Sequence, residues 1–319
     1  MLFTRLWQGA DMASSTLRQP KYRILHLTDT HLLGDPSARH NGVDTYRNLE
    51  RTLERSEHLD LDLIALTGDL SEDGSAASYR RLRGLVEPWA EQRGARTAYA
   101  MGNHDQRERF TQVLGDLRGA DGGATTSQQD SAALSPRSSV TFLDGLRIVV
   151  LDTSVPGAGY GELGPQQLQW LHEQLSEPAE DGTVLLMHHP PIPAQTVLLQ
   201  ALSLQNPQSL AEVLQNSDVQ LILSGHYHHH IAENWMIGPG EHLPVLVSAA
   251  VTNLVEPLGN PTTEDIRSGA GGTVVELYED RTHRALPFHV PLPSAGEVLA
   301  HLDADTVQRI IAEAGPAGD

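Results

Sequence analysis

The chain contains no cysteine. Disulfides, thiolate zinc sites and thiol catalysis are therefore excluded. Lysine occurs once, at Lys21, and positive charge is scarce: 22 Lys and Arg stand against 41 Asp and Glu, a formal net charge of −19. A field of that sign repels nucleic-acid backbones and anionic lipid surfaces, which argues against a nonspecific nuclease and against basic-patch membrane binding. A small phosphate ester is still admissible if metal ions invert the local potential. No apolar run approaches the roughly 18 residues needed to span a bilayer. Arg5, Gln8 and Asp11 interrupt the only stretch that could serve as a secretory h-region. The cytoplasm is the expected location, with neither nucleic acid nor an integral membrane segment as partner.

What is present is an alternation. In 319 residues, 39% of them hydrophobic, apolar β-prone runs alternate with helical patterns from Arg23 to about Gly225. Strands are expected at Ile24–Leu27, Leu61–Leu66, Thr97–Met101, Thr183–Met187 and Val219–Leu223. Helices are expected at Thr45–Leu59, Ala76–Gln92, Arg107–Leu114, Gln166–Leu175 and Ser209–Leu214. A hairpin is expected over Asp144-Gly145, and residues 119–139 read as a mobile surface loop. After residue 230 the style changes to strands without intervening helices, followed by a terminal helix at Ala304–Ala314. This predicts an α/β protein with two sheets packed face to face and helices outside. Residues 1–20 read as a leader, with Met12 as an alternative start, 21–290 as one domain and 291–319 as an extension with a short helix.

Five short blocks sit where strands end: Asp29-Thr30-His31, Gly68-Asp69, Gly102-Asn103-His104-Asp105, His188-His189-Pro190-Pro191 and Gly225-His226-Tyr227-His228. Strand ends are where open α/β sheets place their chemistry. Carboxylate and imidazole ligands suit Mn²⁺, Fe and Zn²⁺. Two such ions about 3.5–4 Å apart share a bridging ligand, grip both non-bridging oxygens of a phosphate, and hold a hydroxide at neutral pH. The chemistry implied is hydrolysis of a phosphate ester. Asp29 and His31, like His226 and His228, are two apart and can turn toward one ion. Glycines 68, 102 and 225 permit sharp turns and close approach. His104, beside Asn103, is better placed to touch the substrate or protonate its leaving oxygen.

The pattern Asp-x-His, Gly-Asp, Gly-Asn-His-Asp, His-His-Pro-Pro, Gly-His-x-His resembles the calcineurin-like metallophosphoesterase superfamily. Leu27–Leu32 and Asp152–Gly157 are similar to bacterial class III cyclic nucleotide phosphodiesterases. The likeness covers roughly residues 21–250 and fades beyond Thr252. The resemblance implies that Asp29, His31 and His228 hold one metal, that Asn103, His188 and His226 hold a second, that Asp69 bridges, and that His104 is the substrate-facing acid. It implies a two-sheet β-sandwich flanked by helices, a homodimer, and hydrolysis of 3′,5′-cyclic nucleotides such as cAMP. Chemistry alone does not choose between His188 and His189; the resemblance favours His188.

Taken singly, each block has a structural reading. Gly-Asn-His-Asp can cap the next helix through Asp105, and the run at residues 226–230 can be an adventitious nickel-binding tract, so His229 and His230 stay outside the expected site. His26, His40, His58, His172 and His242 have no partner pattern. Asn41 and Asp44 are possible rim residues. Two other functions stay open: hydrolysis of 2′,3′-cyclic nucleotides, glycerophosphodiesters or aryl phosphodiesters, and a metal-binding regulatory scaffold that uses the segment after Thr252.

Overall fold

A computed structural model describes residues 18–115, 126–127 and 136–317. The expected leader up to residue 17, and most of the expected 119–139 loop, lie outside the described residues. The secondary structure runs β1 (Tyr22–Leu27), α1 (Thr45–Arg55), β2 (Leu63–Thr67), α2 (Ala76–Glu91), β3 (Arg96–Ala100), α3 (Arg107–Leu114), β4 (Thr126–Ser127), β5 (Ser139–Leu143), β6 (Leu146–Leu151), α4 (Pro165–Gln174), β7 (Thr183–Met187), α5 (Val197–Ala201), α6 (Pro207–Leu214) and β8 (Val219–Ser224). It continues with β9 (Ile231–Gly238), β10 (Glu241–Val247), β11 (Leu254–Val255), β12 (Glu264–Arg267), β13 (Gly271–Leu277), β14 (His283–His289), β15 (Val298–Leu302) and α7 (Ala304–Ala314).

Two sheets carry the architecture, in the orders β14-β13-β1-β2-β3 and β4-β5-β6-β7-β8-β10-β9. β1, β2 and β3 are parallel, as are β6, β7, β8 and β10. Side-chain alternation along these strands divides the core into three. Ile24, Leu63, Ala98, Ile148, Val184 and Leu223 face inward and weld the sheets together. Their neighbours Leu25, Ile64 and Tyr99 pack outward under α1 and α2 through Leu49, Leu82 and Val86. On the far side, Val149, Leu185 and Ile222 pack against α4 and α6 through Leu171, Leu210 and Leu214. The order is helices, sheet, sheet, helices, as the sequence predicts.

The strands beyond Thr252 belong to this frame. β13 pairs antiparallel with β1, from Tyr22 opposite Leu277 to His26 opposite Thr273, and β14 covers its far edge. A third, small sheet, β11-β12-β15, threads residues 298–302 onto residues 264–267. Deleting everything after Thr252 would remove two strands of the first sheet, so that truncation does not isolate a separable interaction surface.

Candidate metal centre

Loops after β1, β2, β3, β7 and β8 converge at one end of the sandwich. The first two are zipped together by backbone bonds that prolong the β1–β2 pairing: Asp29 N–H donates to Gly68 O (3.0 Å), His31 N–H to Asp69 O (2.9 Å) and Leu32 N–H to Leu70 O (3.1 Å). The fifth loop is tied to the fourth by Gly225 N–H donating to His188 O (3.1 Å), and to the first by His226 N–H donating to Asp29 Oδ2 (3.0 Å). Asp29, His31, Asp69, His226 and His228 all sit in the left-handed region, with φ of 51°, 43°, 48°, 70° and 56°. Each such residue costs of order 1–3 kcal/mol, and this strain persists only where surrounding structure over-determines it. Gly68, at φ 93°, makes its turn without that cost. At Gly225 the need is space, because a Cβ would overlap Thr28 Oγ1 and Asp29 Oδ2.

The inward atoms form one cluster. Asp29 Oδ1 lies 3.2 Å from His228 Nε2 and 3.9 Å from both His31 Nε2 and His188 Nε2. Asp69 Oδ2 lies 3.2 Å from His188 Nε2 and 3.7 Å from His31 Nε2. The other carboxylate oxygens are committed elsewhere: Asp29 Oδ2 accepts from Thr28 Oγ1 (2.7 Å), and Asp69 Oδ1 from the His104 N–H (2.9 Å). The imidazoles are aimed through Nδ1, which donates to Thr67 O in His188 (2.8 Å), to Asn253 O in His228 (3.1 Å) and to Glu72 Oε2 in His31 (2.7 Å). Fixing the proton on Nδ1 turns the Nε2 lone pair into the cluster.

Asp29 Oδ1, His31 Nε2, Asn103 Oδ1, His188 Nε2 and His226 Nε2 are all buried without a hydrogen-bond partner. Leaving one buried polar atom unmet costs about 1–3 kcal/mol, so five together describe a cradle shaped for a cation. Charge tells the same story. Burial outweighs all else at His226 and pulls it down to about 3, and it also lowers His31. At His188 burial is overcome by the Asp69 carboxylate, and the ring is raised to about 9. His228 is raised against burial by Asp29. Burial pushes both carboxyls up, but the imidazoles win and hold Asp29 and Asp69 below the usual carboxylate range. Protons drawn onto His188 and His228 thus balance the acids, and a divalent cation would displace them.

His188 and His189 are now distinguished. His189 is within reach of His188 and His226, but Thr153 Oγ1 engages its Nδ1 (2.7 Å) and Gly159 O its Nε2 (3.2 Å). His188 Nε2 alone of the two faces the acids. His104, its side chain 39% exposed, packs edge-on against the His31 ring at 4.9 Å and reaches Glu72 through Nδ1 (3.2 Å to Oε2).

Glu72 carries no motif, and the sequence reading missed it. Besides His31 and His104 it reaches His40, whose Nδ1 is 3.4 Å from Oε1 and whose ring stacks on His31 at 5.0 Å. Burial raises the Glu72 carboxyl, yet its bonds to His104, His31 and His40 hold it well below the usual range. The detectable signal was chemical: a ligating imidazole needs an acceptor behind it, and Glu72 lies three residues past Asp69. Glu72→Gln should cost ~10–100-fold in metal affinity or turnover. Removing an anion also lowers the His104 pKa, so the alkaline limb of kcat should move to lower pH. A pH–rate profile of the fully metal-loaded variant checks both.

Asp105 does not cap α3; the cap is Gln106, whose side chain accepts from the Arg109 N–H. Instead Asp105 accepts from Gly102 N–H (2.9 Å), Leu70 N–H (3.1 Å), Ser71 N–H (3.1 Å) and Tyr79 OH (2.9 Å), stapling the second loop to the third. Asp44 caps α1 by accepting from the Arg47 N–H. In the Asp152–Gly157 stretch, Asp152 Oδ2 accepts from buried Arg107 Nε (2.9 Å), and Arg107 also donates to Ser154 O (2.8 Å). This pair anchors α3, and with it His104, to the second sheet. Arg107→Met should strand a buried carboxylate and destabilise the fold by about 3–5 kcal/mol, read as a lowered urea midpoint.

A sandwich of two mixed sheets whose loops gather imidazoles and carboxylates into this cradle defines a metallophosphoesterase. The chain belongs to the calcineurin-like phosphoesterase family, whose pattern matches residues 22–230, and its His and Asp clusters form a divalent-metal binding site. It is 36% identical over 309 residues to a cAMP/cGMP dual specificity phosphodiesterase of Mycobacterium tuberculosis, covering 93% of this chain and 88% of that one. It is 34% identical to the 3′,5′-cyclic adenosine monophosphate phosphodiesterase of Escherichia coli, covering 68% and 73%. Among solved structures, a dimetal phosphatase from Danio rerio superposes with a TM-score of 0.56 at 13% identity, covering 86% of this chain and all of that one.

Proposed function

We propose that this chain is a dinuclear-metal phosphodiesterase that hydrolyses 3′,5′-cyclic nucleotides, cAMP among them, to nucleoside monophosphates. The carrying observation is the set of five buried, unpartnered donor atoms contributed by four separate loops. The names borne by relatives at 34–36% identity support the substrate class. Asp29, His31 and His228 would hold one ion, Asn103, His188 and His226 the other, and Asp69 would serve both. The mixed carboxylate, amide and imidazole set suits Fe, Mn or Zn. Bound there, the pair supplies charge neutralisation at the phosphate and a water acidic enough to yield the nucleophile near neutral pH.

The protein's own groups do the rest. The Nδ1 hydrogen bonds to Thr67 O, Asn253 O and Glu72 keep three imidazoles from rotating, so the donor set is fixed before anything binds. The Asp69 charge, reinforced by Glu72, raises His104 to about 10 against the opposing effect of burial. In the metal-free protein His104 therefore carries a proton at neutral pH, and its partly exposed ring is placed to deliver one to a leaving ribose oxygen. The Arg107–Asp152 anchor holds α3 and so limits His104 to that position.

The assay is a panel of cAMP, cGMP, 2′,3′-cyclic AMP, glycerophosphodiesters and an aryl phosphodiester, with elemental analysis of the same sample. Expected is the highest kcat/KM on a 3′,5′-cyclic nucleotide with two ions per chain. Preference for a noncyclic diester by orders of magnitude would overturn the substrate, and turnover without bound metal would overturn the site. No helix among the described residues is long and apolar enough to cross a membrane. A cytoplasmic homodimer is the state carried by the resemblance, checked by fractionation and light scattering.

A further inference from the structure

A second cavity, of ≈ 410 Å³, lies beyond the eight residues assigned to metal and proton transfer and shares none of them. Its walls come from the segment after β8 and from the C-terminal elements, and they are largely apolar: Leu254, Val255, Ala270 and Val290. That volume is in the range of small-molecule sites, which are apolar with a few convergent polar groups.

The polar groups are specific. His229 is 6% exposed, lines the cavity, and has no hydrogen-bond partner at either ring nitrogen; the Tyr227 backbone lies near without closing a bond. A neutral imidazole in that position offers one donor and one acceptor. His230 Nδ1 accepts the Ala249 N–H (3.2 Å), which places the proton of the neutral ring on Nε2. That Nε2 is also buried, with the Phe288 backbone near it but no bond closed. The one guanidinium in the wall, Arg267, is balanced by Glu256 (3.1 Å) and Asp265 (3.1 Å), so no uncompensated cation waits for a phosphate. Nor is this a further cation site: among the described residues, every trio of ligand atoms close enough to share an ion lies in the centre described above.

An apolar slot whose own lining charges, Arg267 and Glu256, cancel, and whose imidazoles offer one unmet acceptor and two unmet donors, matches an uncharged heterocycle whose edge carries a carbonyl or ring nitrogen beside an N–H. We propose that the cavity between His229, Leu254 and Ala270 is a second ligand site, separate from the metal centre, for an uncharged nucleobase-type heterocycle. His229 and His230 read the edge of the ring and the apolar wall covers its faces. The mouth lies at Ala295 and Gly296, which are exposed and line the cavity.

Equilibrium dialysis of the metal-loaded full chain against adenine, uracil and nicotinamide tests this. Ligands of that size reach a Kd of about 1 mM in a fitting site, so saturable binding of at least one at or below ~1 mM is expected. Saturating inorganic phosphate, directed at the metal centre, should leave the binding in place. Ala295→Trp plugs the mouth from an exposed position and should weaken it at least ~10-fold, as should His229→Leu, which removes the edge contacts while keeping an apolar wall. Thermal unfolding of both variants near the wild-type temperature shows that the fold is retained. No saturable binding by any of the three probes, displacement by phosphate, or binding unchanged in both variants would each overturn the second site. None of these outcomes bears on whether the metal centre hydrolyses cyclic nucleotides.

Discussion

Asp69→Ala should abolish phosphodiesterase activity and strip most of the bound metal. Its Oδ2 stands 3.2 Å from His188 Nε2 and 3.7 Å from His31 Nε2, side chains assigned to different ions, so one carboxylate answers to both halves of the cradle. Its Oδ1 accepts the His104 N–H and thereby positions the third loop. Loss of a bridging anion removes several kcal/mol of charge stabilisation, equivalent to ~10³-fold or more in turnover. The metal-free protein gives an independent readout. Asp69 is the main force raising His188 against burial, so without it the His188 ring should titrate well below about 9. The sign is fixed: removing a nearby anion makes protonation less favourable. Elemental analysis and imidazole NMR titration measure the two effects, and two ions per chain in the variant would dismiss Asp69 as the bridge.

Why the cradle was readable in advance, while its support was not, follows from how each is encoded. The inward donors follow strands built on short buried apolar runs, as in residues 63–66 and 184–187. Strand ends and blocks therefore declared each other. Glu72, His40 and Asp105 act through partners 32 to 41 residues away, and local pattern gives none of these pairings, even for Asp105 inside a block. β12 (Glu-Asp-Ile-Arg) has no apolar alternation; it is a strand because Leu254–Val255 and Val298–Leu302 offer it edges. α5 is only five residues and is stitched in by the Thr196 cap. His229, set aside as part of a surface tract, is buried. Periodicity reports which face meets a core. It does not report which distant loop will close over that face.

The strain in the loops also has a bearing on stability. Five non-glycine residues in left-handed conformations and five unmet buried donors are unfavourable on their own. The three-part core and the prolongation of β1–β2 pairing into the loops hold them in place. Cation binding would relieve the unmet donors only in the folded state, so metal and fold are thermodynamically linked.

His104→Ala should behave in the opposite way to Asp69→Ala, keeping both ions and losing turnover by ~10²-fold or more, the range of a single general acid. The side chain reaches Glu72, while its backbone N–H, which alanine retains, supplies the bond to Asp69. The cradle should therefore survive the substitution. Asp69 first and Glu72 next raise the His104 pKa, to about 10. As an acid the group works below that value and fails above it, so wild-type kcat should fall on the alkaline side and the variant should lose that limb. Two bound cations push the same pKa down, which draws the limb toward neutrality in the loaded enzyme. A diester with an acidic aryl leaving group needs no proton, and its hydrolysis should suffer least. If metal leaves with the imidazole, or if the aryl ester loses as much rate as the cyclic nucleotide, His104 is a ligand or a phosphate contact and the proton must come from elsewhere.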